Sequence, residues 1–89
     1  MNVDYTVQIW REGKHHVAHA LPLDVMSSGQ TVDEARTALD EAVRAFLLTA
    51  ADMGTLDMVL EEVGYEREGD AWVSPPWVSI ERHSAVVGG

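Results

Sequence analysis

The segment Ser28-Gly29-Gln30-Thr31-Val32-Asp33-Glu34-Ala35 constrains this chain most. It separates a stretch whose apolar residues alternate from one whose apolar residues recur every three to four positions. The Thr31 hydroxyl is placed to accept from the Glu34 amide, and the Glu34 carboxylate, three residues on, to reach back to the Thr31 amide. Such a capping box starts a helix, and Gly29 eases the turn that leads into it. Thr31 and Glu34 are therefore read as structural, with their polar groups committed to the helix end.

Upstream of this boundary Val3, Tyr5, Val7 and Ile9 alternate with Asp4, Thr6 and Gln8, the period of a strand with one buried face, and Trp10 falls on the other face. Arg11-Glu12-Gly13-Lys14 is a polar connection, and residues 15–21 form the returning strand of a hairpin. Pro22, which has no amide to donate, ends that strand, and residues 25–28 make a short third one.

Downstream, Ala35, Ala38, Leu39, Ala42, Val43, Phe46 and Ala50 gather on one helical face, which should lie on the sheet, while Asp33, Arg36, Asp40, Glu41 and Arg44 occupy the opposite one. Phe46 is the bulkiest member of the stripe, so its truncation to alanine is expected to cost about 3–5 kcal/mol. Asp52-Met53-Gly54 ends the helix, and Thr55 caps a shorter second one carrying Leu56, Val59, Leu60 and Val63 up to Gly64. Residues 65–68 and 71–74 flank Gly69-Asp70 as a second hairpin, and after Pro75-Pro76 residues 77–82 alternate again as a final strand. The expected fold is α+β: an antiparallel β-β-β-α core over residues 1–51 and an α-β-β-β extension over 54–89. A chain of 89 residues has room for one domain only.

Fifteen acidic residues against six Lys and Arg, for a formal charge of −9, argue against nucleic-acid binding, because the six cations stand singly among carboxylates and form no basic stripe. The acidity favours encounter with a basic protein, yet it also serves simply to keep a small domain in solution. With no cysteine there is no disulfide framework and no thiolate metal site. No apolar run approaches the roughly 20 residues of a membrane span, and Met1-Asn2-Val3-Asp4 lacks the basic start of a signal peptide. A soluble, cytosolic protein is expected.

Residues 5–9 (Tyr-Thr-Val-Gln-Ile), the hairpin, Val17-Ala18 followed by a proline, then Ser28-Gly29-Gln30-Thr31 with Glu34-Ala35 and a helix through Phe46-Leu47 together resemble the HicB antitoxin family and its single-domain relatives. The resemblance spans residues 3–50. It implies a β-β-β-α-β core, described as a partial ribonuclease-H-like fold, and a function of covering the active site of a small basic ribonuclease toxin, HicA. Gly54-Thr55-Leu56 to Gly64-Tyr65, with Trp72 and Pro75-Pro76, resembles an extension of some single-domain relatives. Where the family's loop after the second strand carries a glycine and a cysteine, this chain reads Pro22-Leu23-Asp24-Val25-Met26, and residues 77–89 are too short for the DNA-binding module that many relatives append.

His15, His16 and His19 would approach one another on a helix. In a strand His15 and His19 lie roughly 13 Å apart on one face, with His16 on the other, so no shared metal is expected. Asp4 has no second carboxylate on its face of the strand to build a two-magnesium centre, and no Gly-x-Ser-x-Gly elbow or phosphate-binding glycine loop is present. No enzymatic activity, metal or cofactor is expected. Trp10, Trp72 and Trp77 are balanced between core and interface. Trp10, Trp77, Val78 and Ile80 are the candidate contacts, with residues 77–83 forming a homodimer interface that covers a sheet edge. Two functions stay open: an antitoxin-like domain that neutralises a basic ribonuclease, and a dimeric structural or adaptor domain of the same fold without a toxin.

Overall fold

A computed structural model describes residues 1–88 as a mixed α+β structure of six strands and two helices. Strands β2 (Thr6–Glu12), β3 (His15–Leu21) and β4 (Val25–Gly29) form an antiparallel sheet in the order β2-β3-β4. Its register pairs Gln8 with His19, Trp10 with Val17 and His19 with Met26. Period-two geometry then turns Val7, Ile9, Ala18, Ala20 and Val25 to one face and Thr6, Gln8, Trp10, Val17, His19 and Met26 to the other.

Helix α1 (Val32–Asp52) lies across the first of these faces, packed mainly on β3 and β4 and less on β2. Ala18 and Ala20 of the central strand are fully buried against Ala35, Leu39 and Val43. Small side chains on the strand let the helix sit close to the sheet, so that burial of Leu39 and Val43 on an amphipathic face supplies much of the hydrophobic drive. The turn into α1 is tighter than an ordinary loop. A Cβ on Gly29 would lie 2.6 Å from the Ala35 nitrogen, so glycine is required there for close approach.

The β3–β4 connection is three residues long and begins with a cis Leu21–Pro22 peptide. Asp24 takes the left-handed conformation at φ 62°, which short polar residues tolerate better than others, and its amide donates to the Ala20 carbonyl.

A second, smaller sheet joins the two ends of the chain. Strands β5 (Glu66–Glu68) and β6 (Ala71–Val73) make a hairpin around Gly69, at φ 61°, and Asp70, and β1 (Asn2–Val3) runs parallel to β6. Helix α2 (Leu56–Glu62) packs on α1 and buries Leu56 and Leu60, and Thr55 stands at its start without the expected side-chain cap, its hydroxyl donating instead to the Ala50 carbonyl. No helix among the described residues is long and apolar enough to cross a membrane.

Three further expectations need correction. Residues 3–9 do not form one strand: the ladder breaks at Asp4 and Tyr5, where the chain passes from one sheet to the other. Val3, Tyr5, Val7 and Ile9 nevertheless all pack on the core, because alternation reports the face a residue shares and says nothing of its ladder partner. Residues 77–82 are not a strand; they run on without backbone partners among the described residues.

Phe46 is the third. It keeps its place on the apolar side of α1, yet it is 36% exposed, while Leu39 is fully buried. A 21-residue helix is about 31 Å long, whereas seven-residue strands span only about 24 Å. Phe46 instead lines a groove between the helices with Ala45, Thr49, Met53 and Val59, where no opposing layer closes over it.

Two outcomes follow for chemical denaturation. Leu39→Ala should cost about 2–5 kcal/mol and Phe46→Ala less than half as much, reversing the order of their side-chain volumes. Gly29→Ala should cost about 1–3 kcal/mol through overpacking at the β4–α1 turn, where the added Cβ meets backbone atoms of the helix.

Candidate functional site

Two surfaces carry the residues of interest: the outer face of the three-stranded sheet and the outer face of α1. On the sheet, Trp10 is half-exposed and donates through Nε1 to Glu12 at 2.9 Å. Its ring meets the His19 ring edge-on, with centroids 6.2 Å apart. His19 in turn lies 2.6 Å from an Asp24 carboxylate oxygen, which ties the second strand to the left-handed turn that follows it. Met26, on the neighbouring strand, stands exposed beside this group.

The three neighbouring histidines are separated as strand geometry requires. His15 is exposed opposite Glu12, His19 faces outward opposite Gln8, and His16 turns to the other face, with Nδ1 3.2 Å from the Gln30 carbonyl. Among the described residues, no group of three or more His, Asp or Glu side chains converges on a common point.

The helix cap has the predicted donors with one shift. The Glu34 amide donates to the Thr31 hydroxyl at 3.0 Å, but the Glu34 carboxylate accepts from the Gln30 amide at 2.9 Å, one residue earlier than a capping box prescribes. The close approach of Gly29 to Glu34 and Ala35 folds the preceding backbone over the helix end and brings the Gln30 amide within reach. Along the exposed side of α1, Asp33, Glu34 and Glu41 rim a shallow depression floored by Thr37 and Ala38. Arg36 is engaged with Asp33 at 2.6 Å.

A polar cluster at the sheet crossing was invisible to pattern reading. The Asp4 carboxylate accepts from the Ser74 amide at 2.7 Å, its carbonyl accepts from the Tyr65 hydroxyl at 2.6 Å, and the Tyr5 hydroxyl donates to Asp40 on α1 at 2.6 Å. Burial is the main cause that pushes the Tyr5 phenol up to about 12, reinforced by the hydrogen bond to Asp40 and by its charge. Tyr65 is pushed up to about 12 as well, by burial first and then by the charges of Asp4 and Tyr5. Both phenols stay protonated at neutral pH and act as donors that hold the crossing. The partners are 35 to 70 residues apart, so no local spacing announces them.

Trp72 belongs to the core, with Arg67 stacked 5.6 Å from its ring centroid and its indole N–H buried without a hydrogen-bond partner among the described residues. Trp77 is 49% exposed and donates through Nε1 to the Thr6 hydroxyl, which places the start of the tail beside the first residue of β2. Val78 and Ile80 are exposed. Of the four candidate contacts, the structure therefore sets Trp10 on the open sheet face and Trp77, Val78 and Ile80 on the tail that leaves it.

No protein-family model matches this chain, and no curated protein or solved structure is significantly similar to it.

Folding favours the protonated form of both tyrosines, since their pKa values in the folded protein lie above the ordinary value of 10. Their contribution to stability is complete below about pH 10 and disappears as pH rises through about 12. Urea midpoints should fall across that window for the native chain. The fall should be shallower for Tyr5→Phe combined with Tyr65→Phe, which removes both titrating groups.

Proposed function

We propose that this chain is an antitoxin-like protein-interaction domain that binds and neutralises a small basic ribonuclease, with no chemistry of its own. The observation that carries this reading is the carboxylate-rimmed depression on α1. Asp33 and Glu41 flank the small side chains of Thr37 and Ala38, which leave room for a lysine or arginine side chain, while the Glu34 carboxylate beside them is held by the Gln30 amide. Arg36, one turn along from Asp33, already engages it. The chain's charge of −9 adds long-range attraction for a basic partner, acting within about 10 Å at 0.1 M salt. The resemblance of residues 3–50 to HicB antitoxins supports the same assignment, and the α+β architecture is compatible with it.

A second reading, a dimeric structural or adaptor domain of this fold without a toxin, is favoured by the exposed apolar side chains of Trp77, Val78 and Ile80. The two are separated by asking whether the adjoining reading frame encodes a short basic protein and co-expressing this chain with it. The antitoxin reading expects the pair to co-purify and RNA cleavage by the basic protein to stop. Asp33→Lys together with Glu41→Lys should weaken the complex about tenfold or more at low salt, chiefly by slowing association. Absence of both complex and inhibition would transfer the assignment to the second reading.

A further inference from the structure

The tail that follows Pro75-Pro76 is unlike the rest of the chain. Residues 77–88 belong to no helix or strand, and none of their backbone groups pairs with another backbone group among the described residues. Val78 is 97% and Ile80 63% exposed, an arrangement that a chain folding alone has every reason to avoid. The Cα radius of gyration is 15.5 Å, against about 12 Å for a compact domain of this length, and the longest axis reaches 49 Å. The chain extends well beyond the envelope of a closed domain.

The sheet has an edge of matching character. Among the described residues β2 pairs with β3 alone, so its other side presents a row of unpaired amides and carbonyls. Helix α1 covers β2 less than it covers β3 and β4, and Val7 and Ile9, although they face the core, remain only half-buried. A strand added along this edge with two apolar side chains on its inner side would complete their cover. In residues 77–83 the alternation places Val78, Ile80 and, at the far end, Arg82 on one side and Trp77, Ser79, Glu81 and His83 on the other.

Charge selects the occupant. Glu81 and Arg82 cancel, so the formal −9 sits entirely in residues 1–76, and the tail is the neutral part of an acidic protein. The β2–β3 hairpin is the least acidic part of the body, carrying Arg11 and Lys14 against Glu12. Two copies that approach through their helices meet like charges, whereas two copies that approach tail to hairpin do not.

We infer that two copies of this chain exchange their tails, residues 77–83 of each pairing as a fourth strand along the free edge of β2 in the other. The arrangement is isologous: each copy gives one strand and receives one, so the symmetry closes at two. Pro75-Pro76 holds the chain stiff where it leaves the body, and the Trp77 indole bonded to Thr6 marks its point of departure beside β2. Seven extended residues cover about 24 Å, the length of the seven-residue edge they would pair with. This inference is independent of whether a toxin exists.

The test is sedimentation equilibrium combined with amide hydrogen exchange on the full chain. The native protein should show twice the 9.8 kDa chain mass, with slow exchange in β2 that is lost on dilution to the monomer. A chain ending at Pro76, and the full-length double variant Val78→Asp with Ile80→Asp, should both halve in mass while keeping native helical circular dichroism, since the altered side chains are exposed in the monomer. A native chain that sediments as a monomer overturns the inference. So does a dimer that survives both changes, and so does a tail-dependent dimer whose β2 amides exchange as fast as those of the truncated chain.

Discussion

The structure rests on the closeness with which α1 lies on the three-stranded sheet. Ala18 and Ala20 on the central strand and Ala35 at the start of the helix are all fully buried, and their small size lets Leu39 and Val43 reach the sheet face without a gap. Close packing of this kind is sensitive at the level of single methylene groups. It also explains why the turn between β4 and α1 tolerates nothing larger than Gly29: the helix backbone arrives within contact distance of the strand it follows. The cap at Thr31, the glycine and the alanines are three parts of one constraint.

Around that centre the chain is closed by a few polar contacts of long range. Asp4 and Tyr5 leave one sheet for the other, and they hold the crossing with Tyr65, Ser74 and Asp40. Because β1 pairs in parallel with β6, the first residues of the chain stabilise the last hairpin, and β6 is paired on both sides. The two tyrosines that look most like chemical groups are thereby occupied in holding the fold, and their raised pKa values follow from that burial.

The remaining surface divides by charge. Helix α1 presents carboxylates around a shallow seat, which suits a basic protein, while the outer sheet face and the tail carry Trp10, Met26, Trp77, Val78 and Ile80 with little net charge. An acidic face and a neutral apolar tail serve different contacts. The basic partner proposed for the helix and the second copy inferred for the sheet edge would use separate surfaces.

Much of this was readable in the residues. The hairpin of β2 and β3, the capped start of α1, the second helix and the Gly69-Asp70 turn follow from period and from local backbone preference, which act over a few residues. The separation of His15 and His19 from His16 follows from the same rule. Tertiary structure alone decided the rest. Phe46 sits on the predicted side of its helix, yet its burial depended on what lay opposite, and the helix is longer than the sheet. The break at Asp4 and the parallel pairing of β1 with β6 depend on partners about 70 residues away. Whether residues 77–82 become a strand depends on an edge to pair with, and within the single chain their backbone pairs with none among the described residues. Local geometry is written in neighbouring residues, whereas burial and ladder partnership are properties of the surface that meets them.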